Sequence, residues 1–118
     1  MQQKHYSMLK IEPIEYIRKN NLGFLEGNVI KYLSRYPFKN GIEDLEKAKQ
    51  YLEWLIEDLH LLTSRKTPVI TVENYCKENK FNPLIFIIFE NIQNRKLKIC
   101  FKYINRLITE LESKQKTI

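Results

Sequence analysis

The sequence predicts an all-α protein of five or six helices, and three observations predict it. Glycine and proline number only three and four, too few to punctuate a sandwich or barrel built from many hairpins. Leu45, Ala48, Leu52, Leu55, Leu59 and Leu62 alternate spacings of three and four, the pattern of a helical seam. Leu97, Phe101, Ile104, Ile108 and Leu111 recur in the same way, opposite a basic stripe of Arg95, Lys98, Lys102 and Arg106. With 118 residues, 43% hydrophobic and 29% charged, the chain can bury one core and has the composition of a folded domain. The expectation is a single domain over 1–118, with a helical hairpin at 24–62 packed on a C-terminal helical region at 67–118.

Pro13 suits the first turn of a helix, where its missing N–H is unneeded, and Ile14 and Ile17 carry that helix to Asn20-Asn21. A second helix runs from Phe24 to Tyr36, where Pro37 stops it, with Leu25, Val29, Leu33 and Tyr36 as its buried stripe. Phe38-Lys39-Asn40-Gly41 is a turn, after which a third helix carries the leucine seam to Leu62. So short a connection lays the two helices antiparallel or steeply crossed. Ser64 to Thr67 with Pro68 reads as the main linker. Thr71 is an N-cap for a short helix, Val72 to Lys80. Asn82-Pro83 is N-cap and first residue of a helix reaching Asn91 or Asn94, although Leu84 to Phe89 alone would pass for a buried strand. Arg95 to about Lys114 forms the last helix.

Met1 to Lys10 is polar and mixed, unlike a signal peptide, so a cytoplasmic location is expected. The longest apolar run, Pro83 to Phe89, is far below the roughly 20 residues of a membrane-spanning helix, and no membrane partner is expected. Cys76 and Cys100 are read as reduced and buried. The net charge of +6 belongs to residues 61–118, where eleven bases face five acids; residues 1–60 hold nine of each. The stripe from Arg95 to Arg106 reads as a solvated helix face before it reads as an anion site. Thr71 to Ile92 has the outline of a helix-turn-helix, but Leu84 to Phe89 offers no polar group to base edges, so nucleic acid is not the expected partner.

Asn28, Lys31 and Arg35 share one face of the second helix, and Asp44, Lys47, Tyr51, Trp54 and Asp58 one face of the third. These two stripes could border one groove. No GxxxxGK[ST] loop is present, so a bound phosphate would be held by side chains such as Lys31, Arg35, Lys39 and Lys47 and by helix N-termini. The acid pairs Glu12 with Glu15, Glu43 with Glu46 and Glu53 with Glu57 could hold Mg²⁺. Lysines at matching spacing, as in Glu43 with Lys47 and Glu46 with Lys49, favour ordinary surface pairing instead. His5 and His60 stand alone, without a recognisable catalytic arrangement. Gly27 inside a helix costs about 1 kcal/mol against alanine, a sign of close approach by backbone or ligand.

His5-Tyr6, the Glu12-Pro13-Ile14-Glu15 motif, the Glu26-Gly27-Asn28-Val29-Ile30-Lys31-Tyr32 core and the Asn40-Gly41 turn leading to Asp44-Leu45 and Lys47-Ala48 together resemble a small domain family of tailed phages. Members are described as nucleotide kinase-like, and the resemblance covers about residues 5–62. It implies a phage-encoded nucleotide-binding protein acting in an infected bacterium, with phosphorylation of deoxynucleoside monophosphates without a P-loop as the activity and Mg²⁺ as its cofactor. On that reading Glu26 and Asp44 are the candidate catalytic residues, holding Mg²⁺ or taking a proton. Asn28, Lys31, Arg35, Lys39, Lys47 and Tyr51 are the candidate nucleotide-binding residues, with Tyr51 or Trp54 as stacking platform. The competing structural reading is an ion-pair network of Glu26, Lys31, Arg35 and Asp44 that locks the hairpin. In-line transfer must position two nucleotides and a metal, more than one short hairpin offers, so a homo-oligomer joined through the Leu45–Leu62 seam or the last helices is expected. The rival function is a non-enzymatic counter-defence or host-takeover protein that sequesters a nucleotide signal or binds a host protein.

Overall fold

A computed structural model describes residues 9–63 and 67–116. It is all-α, with α1 (Pro13–Lys19), α2 (Phe24–Arg35), α3 (Ile42–Glu57), α4 (Val72–Asn79), α5 (Pro83–Gln93) and α6 (Ile99–Lys116), and single 3-10 turns at Tyr36–Phe38 and Leu59–Leu61. His5 and the linker residues 64–66 lie outside the described residues. Among those described, no helix is long and apolar enough to cross a membrane.

The centre is the antiparallel pair α2 and α3, which close on each other through Val29, Leu33, Leu45, Ala48 and Leu52, all fully buried. Helix α6 covers α3 with Cys100, Ile104 and Leu107, and α5 supplies Ile85, Ile88, Phe89 and Ile92. The apolar run of α5 is thus helical and faces the core with every third or fourth residue. Helices α1 and α4 meet through stacked Tyr16 and Tyr75, 4.3 Å between ring centroids. Gly27 allows α1 its approach to α2: a Cβ there would sit 3.2 Å from Ile17 Cγ2. Gly41 is needed for its backbone, at φ +50° in the turn before α3.

Two asparagines tie the halves of the chain together. Asn20 donates to the Ile70 carbonyl and accepts its N–H at 2.8 and 2.9 Å, and Asn79 does the same to Ile11 at 2.8 and 2.9 Å. Each amide satisfies both backbone groups of one residue in a bend, where no helix supplies partners. Three helices stop through left-handed residues that are not glycine: Asn21, Lys80 and Arg95. In each case the next residue's N–H reaches back five positions, as in Phe81 to the Cys76 carbonyl at 3.1 Å.

Three features depart from the sequence expectation. Helix α3 ends at Glu57, and the 3-10 turn leaves Leu59 55% exposed before Leu62 returns to the core. The turn redirects the chain so that the Thr63 N–H meets Glu26 at 2.9 Å, which a continued helix would carry out of reach. Leu45, Ala48, Leu52 and Leu55 of this seam are buried inside the protomer. Helix α6 starts at Ile99, so of the basic stripe only Lys102 and Arg106 lie on it; Arg95 and Lys98 belong to the connecting turn. On α2, Leu25 is only half-buried and Ile30 fills the core instead.

The core sets the responses expected to truncation, alkylation and pH. Leu52→Ala should lower the unfolding free energy by about 3 kcal/mol, from lost transfer energy plus the cavity left behind, measured by urea denaturation. Burial pushes the Cys76 and Cys100 thiols up to about 12 from an ordinary 9.0. Both should therefore resist alkylation at pH 8 in the native chain and react on unfolding. Since the folded state holds these protons more tightly, their contribution to stability is whole below pH 9 and is lost as pH rises toward 12. Denaturation midpoints across that range check the sign.

Candidate functional site

Packing α2 on α3 leaves an outer face on which aromatic and cationic side chains meet. Tyr32 of α2 stacks on Tyr51 of α3, with centroids 5.8 Å apart and planes 18° apart. Tyr51 in turn meets Trp54 edge-on at 5.4 Å and Phe24 at 5.9 Å. Phe24 is 74% exposed and Trp54 44%, so this cluster is open to solvent. Around the Tyr32 ring stand three cations: Arg35 at 4.9 Å from the centroid, Lys31 at 5.2 Å and Lys47 at 5.5 Å.

The three cations are not equivalent. Arg35 makes a two-bond pair with Asp44, Nη2 to Oδ1 at 3.2 Å and Nε to Oδ2 at 3.3 Å. Lys31 and Lys47 make no ion pair among the described residues. The expected Glu43–Lys47 pair does not form, whereas Glu46 and Lys49 do pair, at 3.6 Å. Lys47 instead turns to the ring, and two uncompensated ammonium groups sit beside a stacked pair of tyrosines. Such a face attracts an anion that also carries a planar group.

The two candidate catalytic acids are placed differently. Asp44 is fully buried and also accepts the Asn40 N–H at 3.0 Å, so it clasps the α2–α3 turn. Glu26 is 1% exposed, and its Oε1 accepts the Thr63 N–H at 2.9 Å and the Thr63 hydroxyl at 3.2 Å. Thr63 Oγ1 accepts in turn from the Gly23 N–H at 2.8 Å, which knits the start of α2 to the end of the hairpin. Beside Glu26, Tyr16 and Asn20 border a chamber of about 10 Å³, the room of a single water. Burial, with Cys76 and Glu26 nearby, pushes the Tyr16 hydroxyl up. Nine residues of helix, about 13 Å at 1.5 Å per residue, separate the Glu26 end of α2 from the Arg35–Asp44 end. The two carboxylates do not converge, and their engaged oxygens fit a structural clasp better than a Mg²⁺ site.

Of the remaining candidates, Asn28 donates its amide to the Phe24 carbonyl at 2.8 Å and lines a depression of about 190 Å³ with Ile17, Gly27 and Lys31. Lys39 is exposed in the turn, outside the aromatic cluster. The structure therefore brings together Lys31, Arg35, Lys47, Tyr51 and Trp54, sets Asn28 beside Lys31 and Phe24 in that depression, and leaves Glu26 and Lys39 apart from them. Phe24 and Tyr32 were missed as site residues. The signal for Tyr32 was present: it is four residues from Asn28 and three from Arg35, the spacing that singled out Lys31. His60 is exposed on the 3-10 turn, and among the described residues no three His, Cys, Asp or Glu side chains are grouped to hold a metal.

Residues 1–53 match the model of a family described as a protein of unknown function, DUF3310. The match covers α1, α2 and most of α3, and with them every cation and ring of the face except Trp54. No curated protein and no solved structure matches the chain.

Asp44→Ala removes the acceptor shared by Arg35 and the Asn40 N–H. It should cost about 3 kcal/mol of unfolding free energy in urea denaturation, the loss typical of breaking a buried charge pair. A residue present only for metal binding or proton transfer would leave stability nearly unchanged.

Proposed function

We propose that the protein binds a nucleotide on the outer face of the α2–α3 hairpin, and that it binds without transferring phosphate. Phosphate lies between Lys31 and Lys47, and the base stacks on the exposed cluster of Tyr51, Trp54 and Phe24. The observation that carries this reading is the arrangement of two lysines, without an ion pair among the described residues, within 5.5 Å of one tyrosine ring that is itself stacked on a second. Charge-assisted contacts to phosphate and π-contacts to a base are the two interactions that a nucleotide requires. The likeness to tailed-phage nucleotide kinase-like proteins supports the same ligand class and a phage origin. Binding is favoured over turnover because Glu26 and Asp44, the acids that catalysis would use, are both buried in structural hydrogen bonds. Sequestration of a nucleotide signal is the role that suits an open binding face whose two candidate catalytic acids are engaged in structural hydrogen bonds.

Trp54 is the only tryptophan and lies on the face, so its fluorescence reports occupancy. Titration with deoxynucleoside monophosphates, ATP and cyclic nucleotides should quench it saturably. Lys31→Ala with Lys47→Ala should raise Kd at least about tenfold, since each charge-assisted contact carries on the order of 1.4 kcal/mol or more. Added salt should weaken binding of the parent chain more than that of the double variant. Absence of quenching and of any thermal shift at millimolar nucleotide would overturn the reading. Formation of a diphosphate from monophosphate, ATP and Mg²⁺ would replace sequestration with catalysis.

A further inference from the structure

A second concavity lies on another side of the molecule, between the Tyr36–Phe38 turn and the α4–α5 turn. It measures about 310 Å³, within the lower range of small-molecule sites, and is lined chiefly by Tyr36, Phe38, Lys80, Phe81, Asn82 and Ile85. We propose that this cavity binds a small planar aromatic molecule carrying one anionic group.

The walls are aromatic and preformed. Phe81 is held edge-on against Tyr75 at 5.3 Å and against Phe89 at 6.5 Å, so the core fixes its ring. Tyr36 is buried at the base of α2, and Phe38 is half-buried opposite. A flat ring entering between them replaces water with ring contacts and costs little reorganisation.

The polar groups select an anion. Among the described residues no carboxylate lines the cavity, and Glu110 acts on the Tyr36 hydroxyl from outside it. Asn79 spends both ends of its amide on Ile11, and the Ser34 hydroxyl is engaged by the Ile30 carbonyl and Tyr75. Asn82 uses Oδ1 to cap the Leu84 N–H at 2.9 Å, and its side chain also hydrogen-bonds the Tyr36 hydroxyl. Lys80 makes no ion pair among the described residues. The charge at the cavity's edge is thus the Lys80 ammonium, above three rings. Lys80 also stands at φ +55°, a left-handed position that glycine occupies more cheaply. Its backbone is pinned there by the Phe81 to Cys76 hydrogen bond, so the ammonium leaves from a fixed point at the cavity's edge.

The cavity is built half from residues inside the family match and half from residues after it. This ligand therefore belongs to chains that carry both halves, and the site is independent of the Tyr32 face.

The test is ¹H–¹⁵N NMR titration of the full chain with benzoate, indole-3-acetate and phenyl phosphate, against acetate, inorganic phosphate and neutral indole. The aromatic anions should shift the Phe38, Lys80, Phe81 and Asn82 amides saturably with Kd below about 1 mM, and the controls should bind at least about tenfold more weakly. Comparison of indole-3-acetate with phenyl phosphate tells a carboxylate from a phosphate ligand. Lys80→Gly removes the ammonium while suiting the left-handed backbone, so it should keep the fold and raise Kd about tenfold; Lys80→Arg should restore binding. The proposal is overturned if those amides do not move up to about 10 mM, if either class of control binds as well, or if Lys80→Gly changes nothing. Shifts confined to Tyr32, Tyr51 and Trp54 would overturn it too, by placing the ligand on the other face.

Discussion

The antiparallel packing of α2 on α3 is the constraint from which the rest of the molecule descends. Once Val29 and Leu33 are buried against Leu45, Ala48 and Leu52, the rotation of both helices is set. Lys31, Tyr32 and Arg35 must then lie beside Lys47, Tyr51 and Trp54, because side chains three and four apart share a helix face. The outer face needs no further device. Its cations gather on one ring because hydrophobic burial on the opposite side sets both helices so that Lys31, Arg35 and Lys47 surround Tyr32.

Polar groups inside the protein do the fastening that apolar contacts cannot direct. Asp44 closes the turn end of the hairpin, and Glu26 with Thr63 closes the open end. Asn20 and Asn79 each grip the backbone of a distant segment. An unpaired buried amide or carboxylate costs far more than a satisfied one gains, so these bonds penalise any arrangement that misplaces them. They specify position more than they add stability. Glu26 and Asp44 are thereby occupied in architecture.

The two halves of the chain have different relations to known proteins and a common core. Residues 1–53 carry the family likeness and nearly all of the hairpin face. Helices α4 to α6 cover that hairpin and, at Phe81 and Asn82, complete a second cavity against Tyr36 and Phe38. A ligand in that cavity would bridge the halves, next to the turn that Asp44 holds.

The sequence by itself determined the helical class, the order of the helices and most of their starts, because helical periodicity, proline at first turns and asparagine or threonine caps are local signals. It also put Lys31 with Arg35 on one stripe and Lys47, Tyr51 and Trp54 on another, without Tyr32 or Phe24. The extent of α3 was not legible: leucine spacing continues through Leu59 and Leu62, and only the distant Thr63–Glu26 contact explains why the helix stops at Glu57. The left-handed stops at Lys80 and Arg95 were equally hidden, since neither uses the glycine that marks such a turn. Local spacing placed Glu26 and Asp44 among the candidates for chemistry, and burial, a property of the assembled fold, gave them structural partners. Tertiary packing alone decided that Lys47 turns from Glu43 to Tyr32, because a ring brought from another helix competes with a neighbour four residues away.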